Sequence, residues 1–305
     1  GRVAPRCWRA TGPRGAPAAV QKVQVLPPPQ SPSQQAMAAL DAVGGPLADA
    51  ALVLDAASGN VEGDLHQPPP VRMFDYVGTA PGSLKIAVST RFPFTFFGAT
   101  LHPEIRAALE AVAEQLEMLG HTVMAGNPNY GLRLSWSFLS RSTSGLLEWA
   151  DRLGEDVTFE RRTEANMAVG RLLSRSVLRR ARAAEAATQR RVGSIFNAVD
   201  VVLAPTTAQP PPPARMFDDL GPTATDRAMI AACPITFPWN VLGWPSINVP
   251  AGFTADGLPI GVQLMGPANS EPLLISLAAE LEAINGWANK QPEAWWNTPM
   301  PADSG

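Results

Sequence analysis

Residues 84–126 hold the most restrictive pattern in the chain. "LKIAVST" (84–90) is a short apolar run of strand type, and "HTVMAG" (121–126) is a second one. Between them, "HPEIRAALEAVAEQLEMLG" (102–120) places Ile105, Leu109, Val112, Leu116 and Leu119 at steps of four, three, four and three. That stripe belongs to a helix with one buried face. Pro103 suits its first turn and Gly120 the position just past its end. Strand, helix and strand in this order make a βαβ unit, so the pattern predicts an α/β domain built on a sheet with parallel strands.

The rest of the ordered sequence is compatible with that frame. "GPLADAALVLDAASG" (45–59) carries Leu47, Ala51, Leu54 and Ala57 on one helical face and stops at Gly59. Residues 132–199 read as mostly helical, ending in one long segment with Leu173, Val177, Ala181, Ala184, Thr188, Val192, Ile195 and Val199 on a single face. Its other side carries Arg171, Arg175, Arg179, Arg182 and Arg190, a row that could bind phosphate but is more simply a solvated face. "DVVLAPT" (200–206) is a buried strand leading into a proline-rich loop. "SINVPAGF" and "LPIGVQLMG" flank "TADG", an Asp-Gly hairpin signal, and "NSEPLLISLAAELEAING" follows as a helix capped at Asn269 or Ser270.

Charge separates the first forty residues from the remainder. They hold Arg2, Arg6, Arg9, Arg14 and Lys22, no acidic residue and seven prolines, which leaves 19 basic against 27 acidic side chains elsewhere. Neither helical nor strand periodicity runs through them, so residues 1–44 are expected to be a disordered leader, with residues 291–305 as a tail. A transit peptide needs an amphipathic helix, which these prolines would interrupt. The net charge of -3 argues against a nucleic-acid partner. No run approaches the roughly 20 apolar residues of a membrane span. Two cysteines, Cys7 and Cys233, cannot build a disulfide framework, and a cytoplasmic location is expected.

Local chemistry nominates no catalytic or metal set. Ser142 and Ser144 have no neighbouring base and no nucleophile elbow. His66, His102 and His121 lack metal-ligand spacing, and His102 before Pro103 reads as a helix-start residue. Cys233 lies in an apolar segment and is expected to be a buried structural thiol. No cofactor is expected.

Three segments together carry a resemblance that periodicity does not. "DVVLAPT", then "FPWNVLGWPSINVPAGFTADGLPIGVQLMGP", then "NSEPLLISLAAELE" resemble the C-terminal part of the amidase signature family. "GPLADAALVLDAASG" and "LKIAVS" resemble its preceding helix and βα unit, so the likeness covers residues 45–290. It implies an α/β fold with a mixed central sheet covered by helices, and a small amide as substrate. Members hydrolyse carboxamides to acid and ammonia, or transfer the ammonia, through a serine nucleophile, a second serine in a cis peptide and a lysine. Trp239, Asn240 and Trp244 then become candidates for substrate binding, with core packing as the alternative for the tryptophans.

Departures from the family pattern qualify the expected activity. The chain has no Ser-Ser dipeptide and no Gly-Gly-Ser, and its lysines are Lys22, Lys85 and Lys290, none in a matching context. "GPLADAA" is also shorter than the family's usual form. The expectation is a truncated amidase fold whose catalytic half is absent, inactive alone. A non-catalytic binding or structural remnant of the fold is the alternative. Strands left without partners would favour self-association or pairing with a complementary fragment.

Overall fold

A computed structural model of the chain describes residues 19–24, 38–43, 47–60, 62, 70–154, 157–173 and 175–287. The βαβ unit forms as expected. β3 (Lys85–Val88) leads through α2 (Pro103–Met118) to β4 (Thr122–Ala125), and the two strands pair in parallel. His102 caps α2, its Nδ1 accepting the Glu104 N–H at 3.4 Å. Ile105, Leu109, Val112 and Leu116 are buried.

β5 (Val201–Pro205), buried along its whole length, pairs in parallel with β3 on the side away from β4. The hairpin is also present: β6 (Ser246–Phe253) and β7 (Pro259–Met265) pair antiparallel, with a bulge between Pro250 and Gly252. β7 then joins β5 antiparallel. Two segments within the stretch expected to be a disordered leader are strands, β1 (Ala19–Gln24) and β2 (Ala38–Val43), and β1 pairs with β6 at Ser246–Asn248. A strand edge with open N–H and C=O groups accepts such a partner without any side-chain periodicity. Most of residues 1–44 and all of 291–305 lie outside the described residues. Among the described residues the strand order is β2-β1-β6-β7-β5-β3-β4, a mixed sheet.

Alternation along the strands builds two cores. Ile86, Val201, Leu203, Val262 and Leu264 face one side, covered by α1 (Leu47–Ala57), α2 and α9 (Glu271–Asn285). Ala87, Val202, Ala204 and Met265 face the other, covered by α3 (Gly131–Leu153), α6 (Glu185–Gly193) and α8 (Phe237–Leu242). The result is a layered helix–sheet–helix domain. Gln263 is a buried polar tie across the sheet: its Nε2 donates to the Pro205 carbonyl and its Oε1 accepts from Ser246 Oγ, each at 3.1 Å. A strand-central glutamine is stable there only because both ends of its amide are paired.

Two local expectations are corrected. The long helix expected from Leu173 to Val199 is broken: α4 (Arg161–Leu172) ends just before it, where Leu173 turns extended, and the segment itself is α5 (Arg175–Ala183), α6 from Glu185 and a 3-10 turn at Ser194–Asn197. The arginine row is likewise not uniformly solvated. Burial first, and then the nearby Arg141 charge, pushes the Arg182 guanidinium below its ordinary value. At the start of α9, Ser270 holds the cap position, yet its Oγ donates to the Pro267 carbonyl at 2.7 Å instead of accepting from the helix.

Candidate functional site

β3, β4 and β5 run parallel, so their carboxyl ends open on one side of the sheet. In open α/β sheets that side is where ligands bind. The loop after β3 contains "RFPFTFFG", with four phenylalanines between 92 and 97. Ser135 Oγ on α3 donates to the Phe94 carbonyl and pins this loop to the helix. Phe96 has φ of 64°, the left-handed region that costs a bulky residue roughly 1–2 kcal/mol. It is held there by Phe94, with ring centroids 4.9 Å apart, and by Trp136 at 5.1 Å, both edge-to-face.

Behind this loop lies a cavity of about 300 Å³, closed by α3, the start of α4, the end of α7 (Pro222–Ala232) and α8. Its apolar wall is Phe94, Phe96, Phe138, Met229, Ile230 and Phe237, with Phe138 and Phe237 tilted together at 4.7 Å. Ser135, Arg162, Cys233, Thr236 and Asn240 supply the polar atoms. Arg162 Nε donates to Asp226 Oδ1 at 2.5 Å, and Asn166 Nδ2 donates to the other Asp226 oxygen at 3.1 Å. The guanidinium on the wall is therefore neutralised by a carboxylate that is itself held in place.

Cys233 differs from its expected role. Its side chain is exposed in the cleft, not buried in the core, because α7 ends beside it. Desolvation by the apolar wall raises the thiol above its ordinary value, which disfavours the thiolate a nucleophile needs.

The three residues nominated for substrate binding separate. Trp239 is 1% exposed and donates its Nε1–H to the Gly266 carbonyl at 2.8 Å. Trp244 is buried against it, ring centroids 5.9 Å apart, and Phe196 packs on both. Gly193 permits this contact, since a Cβ there would meet the Trp244 ring at 2.8 Å. Asn240 alone of the three reaches the cavity wall, and its Oδ1 is buried with no hydrogen-bond partner.

The other sequence candidates lie apart. Ser142 Oγ bonds back to the Leu139 carbonyl of its own helix at 3.2 Å. His121 Nδ1 accepts the Leu84 N–H and its Nε2 pairs with Glu280 at 3.0 Å, tying β3 and α9 together. His66 lies outside the described residues. Lys85 is exposed at the amino end of β3, the end away from the cavity. Among the described residues no group of His, Cys, Asp and Glu could hold a metal ion, and no helix is long and apolar enough to cross a membrane. A second hollow of about 460 Å³ lies beside Asp55, Arg72 and Glu271. It borders residues 61–69, most of which are outside the described residues, and Asp55 there is occupied in capping the Met73 and Phe74 N–H groups.

A mixed sheet between helical layers, with an aromatic cleft on the side where its parallel strands end, defines an α/β protein with a candidate small-molecule site. The chain belongs to the amidase family, whose model, described as Amidase, matches residues 28–275. That match begins inside the segment set apart as a leader. AmiA2 of Mycobacterium tuberculosis, a protein named as an amidase, is 73% identical over 250 residues, which are 82% of this chain and 52% of AmiA2. The acylamidase of Rhodococcus erythropolis is 30% identical over 260 residues, 81% of this chain and 52% of that protein. The chain thus spans about half the length of the curated relatives it matches.

Solved structures agree on the fold. The 6-aminohexanoate cyclic dimer hydrolase complexed with substrate superposes with a TM-score of 0.76 at 23% identity, over 91% of this chain and 62% of that one. A bacterial aryl acylamidase of the amidase signature enzymes family gives 0.68 at 16%, over 90% and 59%.

Proposed function

We propose that this chain supplies the sheet and the ligand-binding wall of a cytoplasmic carboxamide hydrolase, and that by itself it does not turn over amides. The observation that supports the reading is the cleft on the side where β3, β4 and β5 end, with apolar walls and a side-chain amide but no paired nucleophile and base. Its serine, Ser135, is engaged with the Phe94 carbonyl. Lys85 stands at the amino end of β3, three residue steps or about 10 Å from Val88 at the end nearer the cleft. A serine reaction needs a base within hydrogen-bond reach of the hydroxyl. None of the serine–serine–lysine set implied by the family is recognisable in the sequence, and the acylamidase relatives are the reason to name carboxamides as the substrate class.

Ammonia release from acetamide, hexanamide and benzamide by the purified chain tests this. No release above background is expected. Turnover that survives purification and disappears on mutating a single serine of this chain refutes the inactive reading.

The same reading includes self-association or pairing with a complementary fragment. Leu132, Trp149 and Leu172, on α3 and α4, are 61%, 61% and 84% exposed. Apolar surface left open in this way favours association. A monodisperse monomer on size-exclusion chromatography argues against it.

A further inference from the structure

The chemistry of the cleft narrows the ligand class, an inference that rests on the reading above that the site takes a carboxamide. We propose that the cavity behind Phe94–Phe96 takes an uncharged aromatic amide, and that the Arg162–Asp226 pair sets the preference for a neutral ligand.

Size and shape come first. A cavity of about 150 Å³ lined by apolar side chains is enough to hold benzene, and this one is about 300 Å³, room for a ring with one polar substituent. Phe94, Phe96, Phe138 and Phe237 line it, the first two packed edge-to-face at 4.9 Å and the last two tilted at 4.7 Å, and aromatic ligands pack against such rings in offset or edge-to-face contact. Phe96 is kept in its left-handed backbone by Phe94 and Trp136, and Thr95 Oγ1 donates to the Phe97 carbonyl at 2.5 Å within the same turn. Strain of this kind persists where the surroundings over-determine it, and it clusters at ligand clamps. Phe94 and Phe96 are 47% and 44% exposed, so the aromatic loop is open to an arriving ring.

Charge comes second. Arg162 is the only ionised side chain on the cavity wall among the described residues, since the Cys233 thiol is held protonated by desolvation. Asp226 takes the Arg162 Nε–H and is fixed through its second oxygen by Asn166. A carboxylate ligand approaching Arg162 meets a carboxylate already in place, whereas a neutral amide meets no repulsion. The Asn240 side chain offers an amide of its own. Its Oδ1 has no partner, so turning it toward a ligand N–H breaks no existing hydrogen bond of that atom.

Isothermal titration of the full 305-residue chain at neutral pH with benzamide, acetamide and sodium benzoate tests the proposal. Benzamide should bind roughly tenfold more tightly than either competitor, the scale of one well-packed ring. Phe138→Ala should weaken benzamide about fivefold or more by removing part of the wall. Ile230→Trp, which fills the cavity, should abolish binding and provides the same test if Phe138→Ala does not fold. Asp226→Asn frees the Arg162 charge and should strengthen benzoate about fivefold or more. Equal affinity for acetamide and benzamide, no heat with any of the three, or benzoate unmoved in a folded Asp226→Asn overturns the proposal. Equal affinity for benzamide, acetamide and benzoate, with no ammonia released from any amide, would sink this inference and leave the proposed function standing. Selective benzamide binding that is lost in Ile230→Trp, together with serine-dependent ammonia release by the purified chain, would do the reverse.

Discussion

Trp239→Phe separates a core tryptophan from a ligand-wall tryptophan. The indole is 1% exposed, and its N–H is the hydrogen-bond donor to the buried Gly266 carbonyl, 2.8 Å away. Phenylalanine leaves roughly 40 Å³ of that space empty, which at about 24 cal/mol per Å³ costs ~1 kcal/mol. Stranding the Gly266 carbonyl away from water adds about 1–3 kcal/mol. The expected loss is therefore about 2–4 kcal/mol, or a fall in Tm of roughly 4–16 °C for a chain of this size. Urea unfolding followed by far-ultraviolet circular dichroism measures it, free of the change in tryptophan fluorescence. Benzamide binding should be unaffected in the same variant, because Trp239 faces away from the cavity. A loss below about 0.5 kcal/mol, the range of surface substitutions, would mean that water reaches this carbonyl. The assignment of Trp239 to the core would then be wrong.

The remaining predictions concern the packing around that site. Gly193→Ala should destabilise by about 1–3 kcal/mol in thermal melts, because the new Cβ would sit 2.8 Å from the Trp244 ring. Gln263→Leu strands the Pro205 carbonyl and the Ser246 hydroxyl together and should cost about 2–4 kcal/mol in urea unfolding. Desolvation raises the Cys233 thiol, so its folded form favours the protonated state, and the small stability this adds is present below the unfolded thiol range and lost above it. Iodoacetamide labelling of the Cys233 peptide, followed by mass spectrometry, should therefore lag a free cysteine at neutral pH and catch up only in more alkaline buffer. Labelling as fast as a free cysteine at neutral pH refutes the desolvated setting.

Local order determined a large part of this protein. The 4-3-4-3 stripe of α2, the Asp-Gly turn between β6 and β7 and the apolar run of β5 each depend on neighbours in sequence, so their periodicities were readable directly. The family likeness belongs to the same class of information, since "NVLGWPSINVP" and "GLPIGVQLMG" are contiguous. The break between α5 and α6 was hidden because the apolar spacing of Val177, Ala181, Ala184 and Thr188 runs on across it. The cavity was hidden for a stronger reason. Its wall joins Phe94, Phe138, Arg162, Ile230 and Asn240 from five separated segments, and Arg162 is neutralised by Asp226, 64 positions away. Trp239 and Asn240 show the limit most clearly. Adjacent residues on a helix point about 100° apart, so one of the pair turns to the sheet and the other toward the cleft. Sequence fixes the angle between them, and only the packing of α8 on the sheet decides which one is buried.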